Sequence, residues 1–97
     1  MKAEEILLHA AELISGPRDQ EYGDRLLSFT NIVKLWNAYL GDRIDPPLEP
    51  GEIGVLLSLM KTARLKSNRK PDTFVDGSAY LALAGEMMAD DPVQEDS

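Results

Sequence analysis

The chain has 97 residues, 43% hydrophobic and 28% charged, which suits one folded domain and argues against both a second domain and compositional disorder. Seventeen acids against ten bases give a net charge of −7, which opposes non-specific attraction to nucleic acid or an anionic membrane surface. The absence of cysteine removes disulfides, thiolate metal sites and cysteine nucleophiles.

In chain order, Ile6, Leu7, Ala10, Leu13 and Ile14 recur at spacings of three and four, which predicts an amphipathic helix over Ala3–Ser15. Glu4 and Glu5 interrupt its apolar run, so neither a signal-peptide core nor a membrane span is expected there, and the chain reads as soluble and cytoplasmic. Gly16-Pro17 stops this helix, and a polar connector carrying Arg18 and Tyr22-Gly23 follows. A second helix is predicted over Asp24–Leu40, with Asp24 as cap, Gly41 as terminator and Phe29, Ile32, Val33, Trp36, Tyr39 and Leu40 on its apolar stripe; Trp36 is expected in the core. Gly41 to Pro50 holds three prolines and reads as a loop. The third helix is predicted over Glu52–Lys66, acidic at its start and basic at its end, with Ile53, Leu56, Leu57, Met60 and Ala63 facing the core. After a polar loop from Ser67 to Pro71, Asp72 is expected to cap a last helix that runs to about Met88.

No segment alternates apolar and polar residues over strand length. The expected architecture is all-α: a four-helix bundle-like single domain over 1–89 and a short acidic tail over 90–97. Four short helices bury limited area, so a homodimer or other homo-oligomer is expected.

Three groups carry candidate chemistry. Asp72, Asp76 and Tyr80 are spaced four apart and are expected along one face of the last helix, where two carboxylates a turn apart suit a hard cation such as Mg²⁺. The alternative for the carboxylates is purely local, Asp72 capping the helix and Asp76 lying near its positive end. Lys61, Arg64, Lys66, Arg69 and Lys70 place half of all basic residues within ten positions, and the short loop should pack the third and fourth helices as an antiparallel hairpin that brings Lys61 and Arg64 toward Asp76 and Tyr80, either as an anion site for phosphate or as an ion-pair network with the carboxylates. On the connector, Arg18 and Tyr22 suit a phosphate or a stacked base, while a turn would explain Gly23 equally well. His9 is the only histidine and reads as packing or surface. No P-loop, nucleophile elbow or H-E-x-x-H motif occurs.

The order Arg18, Tyr22-Gly23, Phe29, Trp36, then Lys61-x-x-Arg64-Leu65, then Asp72-Thr-Phe-Val-Asp76-Gly-Ser-Ala-Tyr80, resembles a family of short phage and prophage proteins of unknown function, over nearly the whole chain. That family in turn resembles, distantly, the MazG-like all-α nucleoside triphosphate pyrophosphatases. The resemblance implies a nucleotide-handling helical fold. In it Asp72 and Asp76 would hold Mg²⁺, Lys61, Arg64 and Arg18 would contact phosphate, and Tyr80 would orient a carboxylate or the ligand. The implied reaction is Mg²⁺-dependent cleavage of a nucleoside triphosphate to monophosphate and pyrophosphate.

The sequence departs from the MazG-like pattern of E-x-x-E on one helix and E-x-x-D on the next. Leu26 to Leu40 contains no carboxylate, the third helix has only Glu52, and alanine replaces the usual glycine before Tyr80. Two other readings therefore stand beside the enzyme: a non-catalytic binder of a nucleotide or second messenger, and an acidic protein-interaction module acting on a host protein.

Overall fold

The computed structural model describes residues 1–15 and 25–90. The Gly16-Pro17 stop, Arg18, Tyr22, the Asp24 cap and most of the acidic tail lie outside the described residues. Among those described, the chain forms four α-helices and no strand: α1 (Ala3–Ser15), α2 (Arg25–Leu40), α3 (Pro50–Ala63) and α4 (Pro71–Met88). Short 3₁₀ turns over Gly41–Arg43 and Arg64–Lys66 follow α2 and α3.

Local chemistry sets the helix ends. Gly41, at φ +54°, takes the left-handed geometry that stops α2. Arg43 then covers the freed carbonyls, its Nη2 donating to Tyr39 O at 3.1 Å and its Nε to Leu40 O at 3.3 Å, with the guanidinium over the Tyr39 ring. Asn37 clamps the following loop to α2: its Nδ2 donates to Leu48 O and the Leu48 N–H donates back to its Oδ1, both at 2.9 Å. Two boundaries differ from the sequence expectation for one reason. A proline at the first helical position loses no hydrogen bond and has the right φ already, so α3 starts at Pro50 rather than Glu52, and α4 at Pro71. Glu52 reaches back to the Glu49 N–H at 2.8 Å, as in a capping box. Asp72 is not the cap of α4; that position is Lys70, and Asp72 lies inside the first turn. The basic end of α3 tightens into the 3₁₀ turn at Arg64 instead of continuing as α-helix to Lys66.

Helix α4 is the hub. Its Leu83 packs with Phe29 and Val33 of α2 and Ile53 of α3, while its Val75 and Ala79 pack with Ala10 of α1. Ile14 touches both clusters. Small residues allow the tightest approach: a Cβ built on Gly54 of α3 would stand 2.7 Å from Tyr80 O, 2.9 Å from Ala84 Cβ and 3.0 Å from Phe29 Cε2.

Several expected core positions face outward instead. Trp36 is 42% and Tyr39 78% exposed, because only the N-terminal half of α2, through Phe29 and Val33, enters the core. Leu7, Met60 and Ala63 are exposed as well. Ile6, Leu13 and Ile14 pack as expected, as do Ile53, Leu56 and Leu57.

Two glycines test this packing in opposite directions. Gly54→Ala forces a methyl group against a backbone carbonyl and should cost about 1–3 kcal/mol. Gly85→Ala, in α4 with nothing within 4 Å of the added Cβ, should stabilise the chain by about 1 kcal/mol. Urea unfolding of the two variants against the parent measures both signs.

Candidate functional site

The sequence-predicted residues on α4 do not share one face. Steps of four residues overshoot a helical turn by about 40°, so Tyr80 is rotated by about 80° from Asp72 and displaced by about 12 Å along the axis. Each residue consequently meets a different neighbour: α1 lies beside Asp72 and Asp76, whereas Tyr80 packs with the core cluster of α2 and α3.

Asp72 and Asp76 line a polar hollow of about 390 Å³ between α1 and α4. His9 and Glu12, three residues apart on α1, line it too. Sequence reasoning had no role for Glu12 and gave His9 only packing or surface. The available signal was the i, i+3 spacing of His9 and Glu12 on the rim of the α1 stripe, and it gains meaning only once α1 is laid against α4.

On its other side Asp76 holds Lys61 of α3, Nζ to Oδ2 3.1 Å, with side chains 16% and 35% exposed for Lys61 and Asp76. This is the ion pair expected from the antiparallel α3–α4 hairpin. Lys61 belongs to a second cavity, a groove between α3 and α4 of about 180 Å³ with Phe74, Leu65 and Leu81 on its walls. Two of the hydroxyls there are internally engaged, Ser58 Oγ donating to Gly77 O at 3.0 Å and Thr62 Oγ1 to Ser58 O at 3.0 Å.

The remaining basic residues form one end of the molecule. Arg64, Lys66, Arg69 and Lys70 are all exposed around the α3–α4 turn. Asn68 N–H donates to Arg64 O at 2.8 Å, Lys70 N–H to Asn68 Oδ1 at 3.0 Å and Arg69 Nε to Leu65 O at 3.0 Å, which holds the turn in shape. No acid occurs between Glu52 and Asp72, and the segment 61–70 gathers five of the ten bases, while the other five stand among the seventeen acids. Charge is therefore segregated along the chain, and Lys61–Asp76 lies at the border between the two regions.

The carboxylate oxygens of Asp72, Asp76 and Glu12 suit Mg²⁺ by donor type, whereas the His9 imidazole is a transition-metal donor. Among the described residues, however, no three His, Asp or Glu groups converge closely enough to hold an ion. The chain offers Asp72 and Asp76 as one or two carboxylates, the number Mg²⁺ takes when waters and ligand phosphates supply the rest. No helix among the described residues is long and apolar enough to cross a membrane.

A family model described as a domain of unknown function (DUF6378) matches residues 5–88, a span that takes in α2, α3 and α4 whole and all of α1 but its first two residues. The chain is 35% identical over 83 residues to the "Gene 55 protein" of Mycobacterium phage L5, covering 84% of this chain and 51% of that protein. It is 32% identical over 93 residues to the "Gene 55 protein" of Mycobacterium phage D29, covering 95% of this chain and 58% of that protein. The chain thus spans little more than half the length of these curated relatives. No solved structure matches it.

The Lys61–Asp76 pair is partly solvated, so screening limits its contribution to stability. Asp76→Ala should leave the helical circular dichroism unchanged and lower the unfolding free energy by at most about 1 kcal/mol. A wholesale loss of helix in the same measurement would make the pair a structural requirement of the fold.

Proposed function

We propose that this chain, which belongs to the DUF6378 family, is a nucleotide-handling protein that holds a nucleotide or another phosphorylated small molecule, with its Mg²⁺, at the hollow between α1 and α4. The observation that carries this reading is the border position of Asp76, which lines the acidic hollow and engages Lys61 at 3.1 Å. Asp72 and Asp76 would provide the protein side of the cation's shell. An ammonium has three donors, and the one engaged by Asp76 leaves two on Lys61 for a phosphate oxygen. Arg64, three residues further on in the 3₁₀ turn, adds a second positive charge close in sequence, and Arg18, Tyr22 and Tyr80 belong to the proposed ligand contacts on the strength of the sequence pattern. Magnesium, when bound with the ligand, supplies neutralisation of phosphate oxygens and orientation of water.

Binding is preferred here over MazG-like pyrophosphohydrolysis. Hydrolysis of that kind uses carboxylate pairs on facing helices, and α2 carries no acid at all. The reading includes self-association, because Leu35, Trp36 and Tyr39 leave an apolar stretch of α2 uncovered.

The test is a panel of nucleoside triphosphates and cyclic dinucleotides, with and without Mg²⁺, read by thermal shift and released pyrophosphate. A bound ligand at a hundredfold excess over its Kd should stabilise the fold by about 2.7 kcal/mol. Asp76→Ala should abolish that gain and Arg64→Ala should reduce it. Pyrophosphate release that vanishes with Asp76→Ala would extend the function to hydrolysis. Stabilisation by no phosphorylated ligand would sink the proposal in favour of an acidic protein-interaction module. For self-association, light scattering should give the mass of a dimer or larger oligomer, and Trp36→Glu should return the monomer.

A further inference from the structure

Both helices of the α3–α4 hairpin turn one face toward the groove between them. Ser58, Lys61, Thr62 and Leu65 line it from α3 and the 3₁₀ turn that follows. Phe74, Gly77, Ser78 and Leu81 line it from α4. Each set has the spacing i, i+3, i+4, i+7, and two such rows side by side form the kind of channel into which a third helix packs. None of these residues belongs to either core cluster, so the groove is a seam of the hairpin that the core leaves unused. Its walls are apolar. Phe74 is 40% and Leu81 54% exposed, and they stand two turns, about 10 Å, apart along α4, with half-buried Leu65 on the α3 side.

The middle of the groove has little filling of its own, since Gly77 contributes no side chain and Ser58, Thr62 and Ser78 only short ones. A cavity of about 150 Å³ takes a benzene ring, so the groove's roughly 180 Å³ takes one ring or one branched aliphatic side chain. Thr73 lines the same groove and is only 6% exposed, yet its hydroxyl makes no hydrogen bond among the described residues. A buried hydroxyl without a partner is costly, and a hydrogen-bonding tip on the incoming side chain removes that cost. Aromatic side chains with such a tip are the usual anchors of interfaces.

Charge selects the rest of the partner. Arg64, Lys66, Arg69 and Lys70 are exposed at the turn end of the hairpin, and the side chains of Arg64, Lys66 and Lys70 make no ion pair among the described residues. The groove's described lining has a lysine and no acid, whereas Asp72 and Asp76 line the α1–α4 hollow. Charges more than about 8 Å away are screened at physiological salt, so these nearby bases outweigh the net charge of −7 in choosing what docks. A nucleic-acid backbone would match the bases, but it has no side chain to lay against Leu65, Phe74 and Leu81.

We infer that the α3–α4 groove, apart from the α1–α4 hollow, is a docking site for an acidic amphipathic helix of a protein partner, which seats an aromatic side chain with a polar tip beside Thr73.

The test uses the full chain and a stapled helical peptide with leucine, tyrosine and leucine at i, i+4 and i+7 on one face and glutamate on the other, read by fluorescence anisotropy. The peptide should bind at least about tenfold tighter than its counterpart with lysine in place of glutamate. Phe74→Ala combined with Leu81→Ala, both at exposed positions, should weaken it by about tenfold or more while helical circular dichroism stays that of the parent. Trp36→Glu, on α2, should bind it as the parent does. Phenylalanine in place of the peptide's tyrosine should weaken binding about fivefold in the parent and not at all in Thr73→Val. Failure of the glutamate peptide to bind would overturn the assignment, as would equal binding of the lysine peptide or undiminished binding by the Phe74 and Leu81 double variant. A tyrosine preference that survives in Thr73→Val would refute the seat beside Thr73. A mixed-sequence oligonucleotide that binds tighter than the peptide and displaces it would reassign this face to nucleic acid.

Discussion

The close approach of α3 to α4 at Gly54 is the constraint on which the rest of the structure depends. With only a hydrogen on its Cα, Gly54 lets α3 lie against the Tyr80 carbonyl, Ala84 and the edge of the Phe29 ring, where a methyl group has no room. That approach seats Ile53 beside Leu83 and draws the N-terminal half of α2 in through Phe29 and Val33. The opposite side of α4 is left for α1, whose contact is made largely by small side chains, Ala10 against Ala79 and Val75. A helix buried on two sides by different partners presents different chemistry along each seam, and the cavities follow from this.

Those seams differ in charge. The α1 seam is acidic, the α3 seam carries the Lys61–Asp76 pair, and the α2 seam has Phe29, Ile32, Leu57 and Tyr80 in its lining. Lys61 and Asp76 lie where the base-rich α3–α4 end meets the acid-rich remainder of the chain. A charge pair at such a border offers both donors and acceptors, which is the physical ground on which a phosphate with its cation is proposed for this region. The family of the chain adds no activity of its own, since it is described only as a domain of unknown function.

Much of the helical plan was legible in the linear order of residues, because helix limits are set by local chemistry. The span of α1 and the C-terminal limits of α2 and α4 match those expected from apolar periodicity, with Gly41 terminating α2. The two starts that shifted, at Pro50 and Pro71, are also local: a proline in the first turn is a helix residue, and a breaker only further in. The Lys61–Asp76 pair was legible too, since a short loop obliges α3 and α4 to lie antiparallel. Trp36 and Met60 were misplaced for the opposite reason. Periodicity marks the face of a helix that is apolar, but not how much of that face a neighbour covers.

The sequence by itself therefore determined the all-α class, the four helices, the acidic excess with its basic turn, and the pairing of α3 with α4. These depend on contacts close in sequence, where backbone geometry leaves little choice. Tertiary structure alone decided that Asp72 and Tyr80 belong to different cavities, that His9 and Glu12 join the two aspartates, and that Arg25 and Tyr80 share a cleft. A repeat of four on a helix of 3.6 residues per turn drifts around the axis, so which neighbour each side chain meets depends on where distant helices come to rest.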